Sequence, residues 1–337
     1  MVAQRAGIFV QRLGTQALPE AVGLRETGDG RRETGERACH PERSEGSRSS
    51  RKRGKVPVPV PVAMLTIRHR ETGAKLAELS VGGLAGAELS RAVLAYADLS
   101  GADIHAADLR HADLCNADLR GAHFDDAILT GADATLSDSA GSSFARARLD
   151  DARLQGMNKR HRGIVGIDFR GADMTRVTLK NSNLNGAVFT NAILRRADLT
   201  RCNLSGVDLS GAELTDASLA SANLSGARLS FASLVGAVLT GANLEGAILV
   251  GADLTLANLS GVRVAGADFG DTLWSKTTLA RVTGLESALG LDRLRYGDPS
   301  SIDIHTLRAA ISVLPAELLE RCGLTPADVA AFRTILA

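Results

Sequence analysis

Carboxylates crowd one stretch of this 337-residue chain. Residues 84–139 hold Glu88, Asp98, Asp103, Asp108, Asp113, Asp118, Asp125, Asp126, Asp133 and Asp138, against Arg91, Arg110 and Arg120, a local balance of −7. His105, His111, Cys115 and His123 fall in the same stretch and are the residue types that bind transition metals. Further on, QGMNKRHRGIVGI (155–167) gathers Lys159, Arg160, His161 and Arg162 into a basic cluster. Ser and His occur along the chain, yet no GxSxG or other nucleophile motif is present. Walker-type and GxGxxG phosphate loops are also missing, so no reaction is written in the motifs and no cofactor is implied.

What positions these residues is a beat of five. In AYADLSGADIHAADLRHADLCNADLR (95–120) an Ala returns at 97, 102, 107, 112 and 117, and a Leu or Ile at 99, 104, 109, 114 and 119. Neither the helical period of 3.6 nor the strand period of two can hold this pattern straight. Calling the Leu-type residue the centre, centres fall at every number ending in 4 or 9. They run from Leu84 to Leu154, with Ala134 and Ser139 as weak members, and again from Phe169 to Phe269. The small residue two places earlier points to the same side of an extended segment. The next small residue is three places on, an odd step, so the chain must bend once per unit to keep both inside. Gly and Ser in LSGA and LTGA suit such bends.

The number of sides follows from a longer repeat. Phe124 and Phe144 are 20 apart, as are Phe169 and Phe189, and Asn183, Asn203, Asn223 and Asn243 also recur every 20. Four units per coil place like residues above one another at about 4.8 Å, where Asn can form hydrogen-bonded ladders. Three or five sides explain neither series. Asp98, Asp118 and Asp138 then share one face. Stacked like charges cost stability, which invites a functional explanation. His105, His111, Cys115 and His123 land on different sides or outward, which disfavours a metal site, and Cys202 replaces an inward Ala as a buried thiol.

The units A(D/N)LSG, as in ANLSGARLS (222–230) and GADLTLANLS (251–260), resemble the pentapeptide repeat family over about 84–273. The resemblance implies an all-β solenoid, a right-handed quadrilateral β-helix with four pentapeptides per coil. Some members imitate the charged rod of duplex DNA and bind topoisomerases, which makes a DNA gyrase modulator the alternative to a general protein-binding scaffold. The later coils are nearly neutral at the Asp positions, which weakens that alternative. Uniform Leu and Ala leave little space in the bore, so a buried active site is not expected.

The ends differ from the repeat. LTIRHRETGAKLAELS (65–80) alternates around a Thr-Gly turn and predicts a hairpin cap within 64–83. Residues 284–337 have helical spacing, with IDIHTLRAAISVL (302–314) after a Ser-rich cap, a helix opened by Pro315 and stopped by Gly323, and a third over 326–337. They predict a helical cap over the last coil, and they are a candidate homodimer interface. SIDIHTLRAAISVLPAELLERCGL resembles the link to a Toll/interleukin-1 receptor domain in some bacterial proteins. No such domain follows before Ala337, so its role is not carried over.

Charge and composition complete the expectation. The formal charge of +1 hides 12 Lys/Arg against 7 Asp/Glu in residues 1–63, which leaves −4 for the rest. The body of the chain therefore gives no support to nucleic-acid binding. Residues 1–63 are charged low-complexity sequence ending in VPVPVPV and predict a disordered tail. HPERSEG in that tail resembles a translated bacterial intergenic repeat, so translation is expected to begin at Met64. Four scattered cysteines without CxxC spacing fit a reducing compartment. With neither a signal peptide nor a membrane-length apolar run, the expected place is the cytoplasm. The interruption at 155–167 keeps phase, since Leu154 to Phe169 spans three units, so it is either a bulged loop or a distorted coil. The expected protein is a non-catalytic scaffold for an unidentified protein partner. Its candidate contact residues are Lys159, Arg160, His161, Arg162, Asp98, Asp118 and Asp138.

Overall fold

The computed structural model describes residues 65–336 apart from 80–82 and 162–164. The expectations for 1–63, and for Arg162 and Ile164, lie outside the described residues. From Leu84 to Phe269 the chain winds as a right-handed β-helix solenoid. Parallel β-bridges of single residues join positions 20 apart, as Glu88 with Asp108, Asp113 with Asp133 and Asn203 with Asn223. Four five-residue sides therefore complete one coil.

Each bend is a hydrogen-bonded turn. Ala112 N donates to Leu109 O at 3.0 Å, and His111 between them has a φ of 57°. That left-handed third position is the one a type II turn requires. Gly and Ser were expected at the bends, but Arg91, Asn116, Leu136 and Phe231 also stand there with positive φ. A side chain in this region costs about 1–2 kcal/mol. Hydrogen bonds to the coils on either side fix the backbone firmly enough to hold it there.

The bore holds the Leu-type centres and the small residues, almost all fully buried. Even the weak centres Ala134 and Ser139 point inward. Phe124, Phe144, Phe169 and Phe189 form one continuous stack, with ring centroids 4.7, 5.2 and 4.9 Å apart. The two Phe pairs of the sequence are thus a single column, joined across the interruption.

At the interruption one coil has 25 residues. Ser143 bridges Asp168, Arg148 bridges Asp173 and Arg153 bridges Thr178. One unit is inserted, and the remaining sides of that coil keep their places. The physical cause is Lys159 at a centre position, because an unpaired ammonium cannot enter an apolar bore. The chain leaves the wall at Lys159, which is exposed, and is buried again at Val165 and Ile167. Met157 fills an Ala position and is fully buried, an adaptable side chain where the coil has lost its Leu.

Outside the repeat, strands β1 (Leu65–His69) and β2 (Lys75–Leu79) form an antiparallel hairpin. β1 also pairs antiparallel with β3 (Ala97–Asp98), on a side of the first coil. After the repeat, β4 (Leu273–Trp274) and β5 (Thr278–Leu279) pair in parallel with β6 (Arg295–Tyr296) and β7 (Ser301–Ile302). The helical spacing read over 284–302 is therefore corrected. That segment holds 3-10 turns at Leu285–Ser287 and Leu291–Arg293, and its strands extend the coil stack. α-Helix begins with α1 (Ile304–Ala310), followed by α2 (Ala316–Arg321) and α3 (Pro326–Leu336). The cap of α1 is Asp303, whose side chain accepts from Thr306 N at 2.9 Å, rather than the preceding serines. No described helix is long and apolar enough to cross a membrane.

Candidate functional site on one outer face

The Asp series and the basic cluster meet on a single face. Asp98 bridges Asp118, and Asp118 bridges Asp138. The next member is Asn158, whose N–H donates to Ser137 O at 3.0 Å; Asn183 N then donates to Met157 O, also at 3.0 Å. The column continues through Asn203, Asn223 and Asn243. Its amides form a ladder, with Asn203 Nδ2 donating to Asn183 Oδ1 at 2.9 Å, and longer links of 3.4 and 3.3 Å beyond. The Asp and Asn series are one file of side chains, offset by the inserted unit.

Cations answer the stacked carboxylates. Arg120 Nε donates to Asp118 Oδ1 at 2.8 Å, and lies 3.9 Å from Asp138. This hydrogen-bonded guanidinium holds the Asp118 carboxyl below the ordinary carboxylate range, against a smaller opposing effect of burial. Arg110 does the same for Asp108 on another side. His161 Nε2 lies 2.8 Å from each oxygen of Asp138 and ties the start of the loop to the column. Arg120 therefore offsets part of the cost expected from stacked like charge within the face.

Asn158 anchors the loop. It is 2% exposed, and its Oδ1 accepts from Ser139 N at 2.7 Å, a bond a backbone carbonyl makes elsewhere in the repeat. Its Nδ2 donates to Ser139 Oγ at 3.2 Å. Lys159 and Arg160 then stand exposed, with no ion pair among the described residues. Across from them the hairpin contributes Arg70, whose Nη1 donates to Asn116 O at 2.8 Å. Together these residues line a cleft of about 120 Å³ with Leu136, Ser137, Asp138 and Gly156.

Arg70, Asn116, Ser137 and Asn158 were not singled out in the sequence. Asn158 could have been, by carrying the column across a 25-residue coil. Arg70 sits in a hairpin without the five-residue beat, so nothing in the pattern marks it.

Other candidate residues stay apart. His105 pairs with Asp103 at 2.7 Å, while the His111 ring lies over Gly131 at a corner. No cluster of His, Cys, Asp and Glu suited to a metal occurs among the described residues. The Cys202 thiol donates to Leu179 O at 3.0 Å, and burial pushes it up to about 12. Cys115 is likewise raised to about 12, chiefly by burial and then by hydrogen bonds to Asp113 and Asp133. Neither is a nucleophilic thiolate near neutral pH. The face can bind through charge and hydrogen bonds.

Comparison with known proteins agrees with this architecture. Eight copies of the family model described as pentapeptide repeats match within 84–138 and 165–273. The unmatched gap contains the 25-residue coil. The chain belongs to the pentapeptide repeat family. Among solved structures it is similar to HetL of the cyanobacterium Nostoc sp. strain PCC 7120, a pentapeptide repeat protein involved in heterocyst differentiation regulation. Identity there is 28%, over 66% of this chain and 92% of that one, with a TM-score of 0.23. It is also similar to alr5209 from Nostoc PCC 7120, at 31% identity over 34% of this chain and 84% of that one, TM-score 0.20. Full-length QnrB1, a plasmid-mediated fluoroquinolone resistance protein, matches at 19% identity over 71% and 96%, TM-score 0.27. No match is found among curated proteins.

Proposed function

We propose that this chain is a non-catalytic pentapeptide-repeat scaffold that binds a protein partner through the face carrying Asp98, Asp118, Asp138 and the loop from Lys159. The supporting observation is the loop itself. Lys159 and Arg160 are exposed beside a rigid coil wall, on the same face as the column, with no ion pair among the described residues. A rigid support lets a contact loop bind with little ordering cost.

Affinity capture from the native cell extract tests the reading, comparing wild type with a Lys159/Arg160/Arg162→Ala variant. Partners captured by wild type should be lost from the variant and kept by Arg228→Ala, an exposed residue in a different column. Unchanged partners would defeat the contact-loop role.

The alternative is a DNA mimic acting on DNA gyrase or a related topoisomerase. It draws on the acidic early coils, but the Arg110 and Arg120 pairs dilute that acidity. Purified protein that leaves supercoiling untouched would remove it.

A further inference from the structure

We propose that the cleft between the hairpin and the 25-residue coil binds a small oxyanion, a free phosphate or a phosphate carried as a monoester. The cleft is lined by Arg70, Lys159, Arg160 and His161, with Asp138 as its one acidic residue among those described. Both Asp138 oxygens already face His161 Nε2 at 2.8 Å, so that carboxylate is occupied. Lys159 and Arg160 have no ion pair among the described residues, and Arg70 gives only Nη1 to Asn116 O. A guanidinium has five N–H donors, which leaves a planar fork for an anion.

The floor nearby is apolar, with Leu136 leaning over Gly156, where an added Cβ would stand 2.7 Å from Leu136 Cδ2. Low polarity on one side strengthens hydrogen bonds to an anion.

Size selects the ligand. About 120 Å³ is well below the roughly 300–1,000 Å³ of a pocket for drug-sized ligands. A phosphoryl group fits that scale. The overall charge of −4 for residues 64–337 also disfavours an extended polyanion.

The test uses purified full-length protein and two probes, inorganic phosphate and O-phosphoserine, titrated calorimetrically against sodium chloride at matched ionic strength. Wild type should show saturable one-site binding. Lys159→Ala/Arg160→Ala should weaken it by at least roughly tenfold, the scale of lost charge-assisted bonds. These side chains are exposed, so that variant keeps the fold; Arg70→Ala should act similarly, with its circular dichroism checked. Arg228→Ala should bind as wild type does. Equal affinity for the two probes marks a free anion as the ligand, and tighter phosphoserine marks an esterified phosphate. A response no different from chloride, or unchanged binding in the double variant, overturns the site. No partner protein takes part, so this result stands apart from the capture experiment.

Discussion

At the residue scale, individual polar side chains decide where this solenoid tolerates departures from its beat. Asn158 substitutes its side-chain oxygen for a wall carbonyl while the backbone turns away. Asn158→Ala leaves Ser139 N buried without its acceptor, and should cost about 1–3 kcal/mol in urea unfolding. Asn158→Asp keeps the acceptor but buries a charge, so it should not restore full stability. Arg120 offers a second case with a pH signature. It depresses Asp118, so the stability of that pair is present above the unfolded carboxylate value of about 3.9 and disappears as pH falls through the lower folded value. Arg120→Ala should therefore lower stability at pH 7. Because the Arg120 side chain is 55% exposed, screening limits the loss to about 1 kcal/mol or less. The difference from wild type should narrow as pH falls below the unfolded value and close through the lower folded one. A gap in the unfolding curves that stays constant over that fall would assign the effect to packing of the Arg stem instead.

At the element scale, the unit of this fold is the five-residue side, and whole sides can be inserted without disturbing their neighbours. Adding one side to a coil re-registers the later columns by five residues and leaves the stack continuous, as the four aligned Phe rings attest. Removing residues 160–164 with Lys159→Leu returns the coil to 20 residues with an apolar centre. We expect that variant to unfold cooperatively at or above the wild-type midpoint, since the coil returns to the length of its neighbours with an apolar centre and a shorter connection. It should also lose phosphate binding, because Arg160 and His161 leave with the loop. A broad, early melt would mean that the loop stabilises the wall.

This element also shows what could be read in advance. The five-residue beat was legible because the bore admits little besides Leu, Phe, Ala and their like, so each side repeats its inward pair. The four-sided coil was legible from Phe124 with Phe144 and from the Asn series. The joining of Asp98, Asp118 and Asp138 to Asn183 was hidden, since a fixed spacing of 20 fails across an inserted unit. The segment 284–302 was misread because Leu285, Leu289, Leu291 and Leu294 suit a helical stripe as well as short turns, and two-residue strands display no period of their own. The pairing of His69 with Ala97 rests on chain direction at the first coil, and no motif carries that.

At the scale of the whole molecule, a stack of coils is stabilised by neighbours, and its two ends are the places where neighbours run out. At the C-terminal end β6 and β7 cover β4 and β5, and Trp274 is 1% exposed, edge-on to Phe269 at 5.5 Å. Thr306, Leu307 and Ala310 of α1 and Leu318 and Leu319 of α2 are buried, whereas Ile335 of α3 is 75% exposed. A bare solenoid edge presents unpaired backbone groups that template association with another chain. Truncation after residue 283 removes β6, β7 and the helices, and should yield a self-associating species in light scattering. Ile335→Glu changes an exposed position only, and should keep the mass and melting midpoint of wild type. Those two outcomes together assign the segment to covering the last coil. If Ile335→Glu instead halves the particle mass while its circular dichroism is unchanged, the helices hold a second copy of the chain. The edge argument would then apply to the dimer, whose partner surface lies on α3 rather than on the coil.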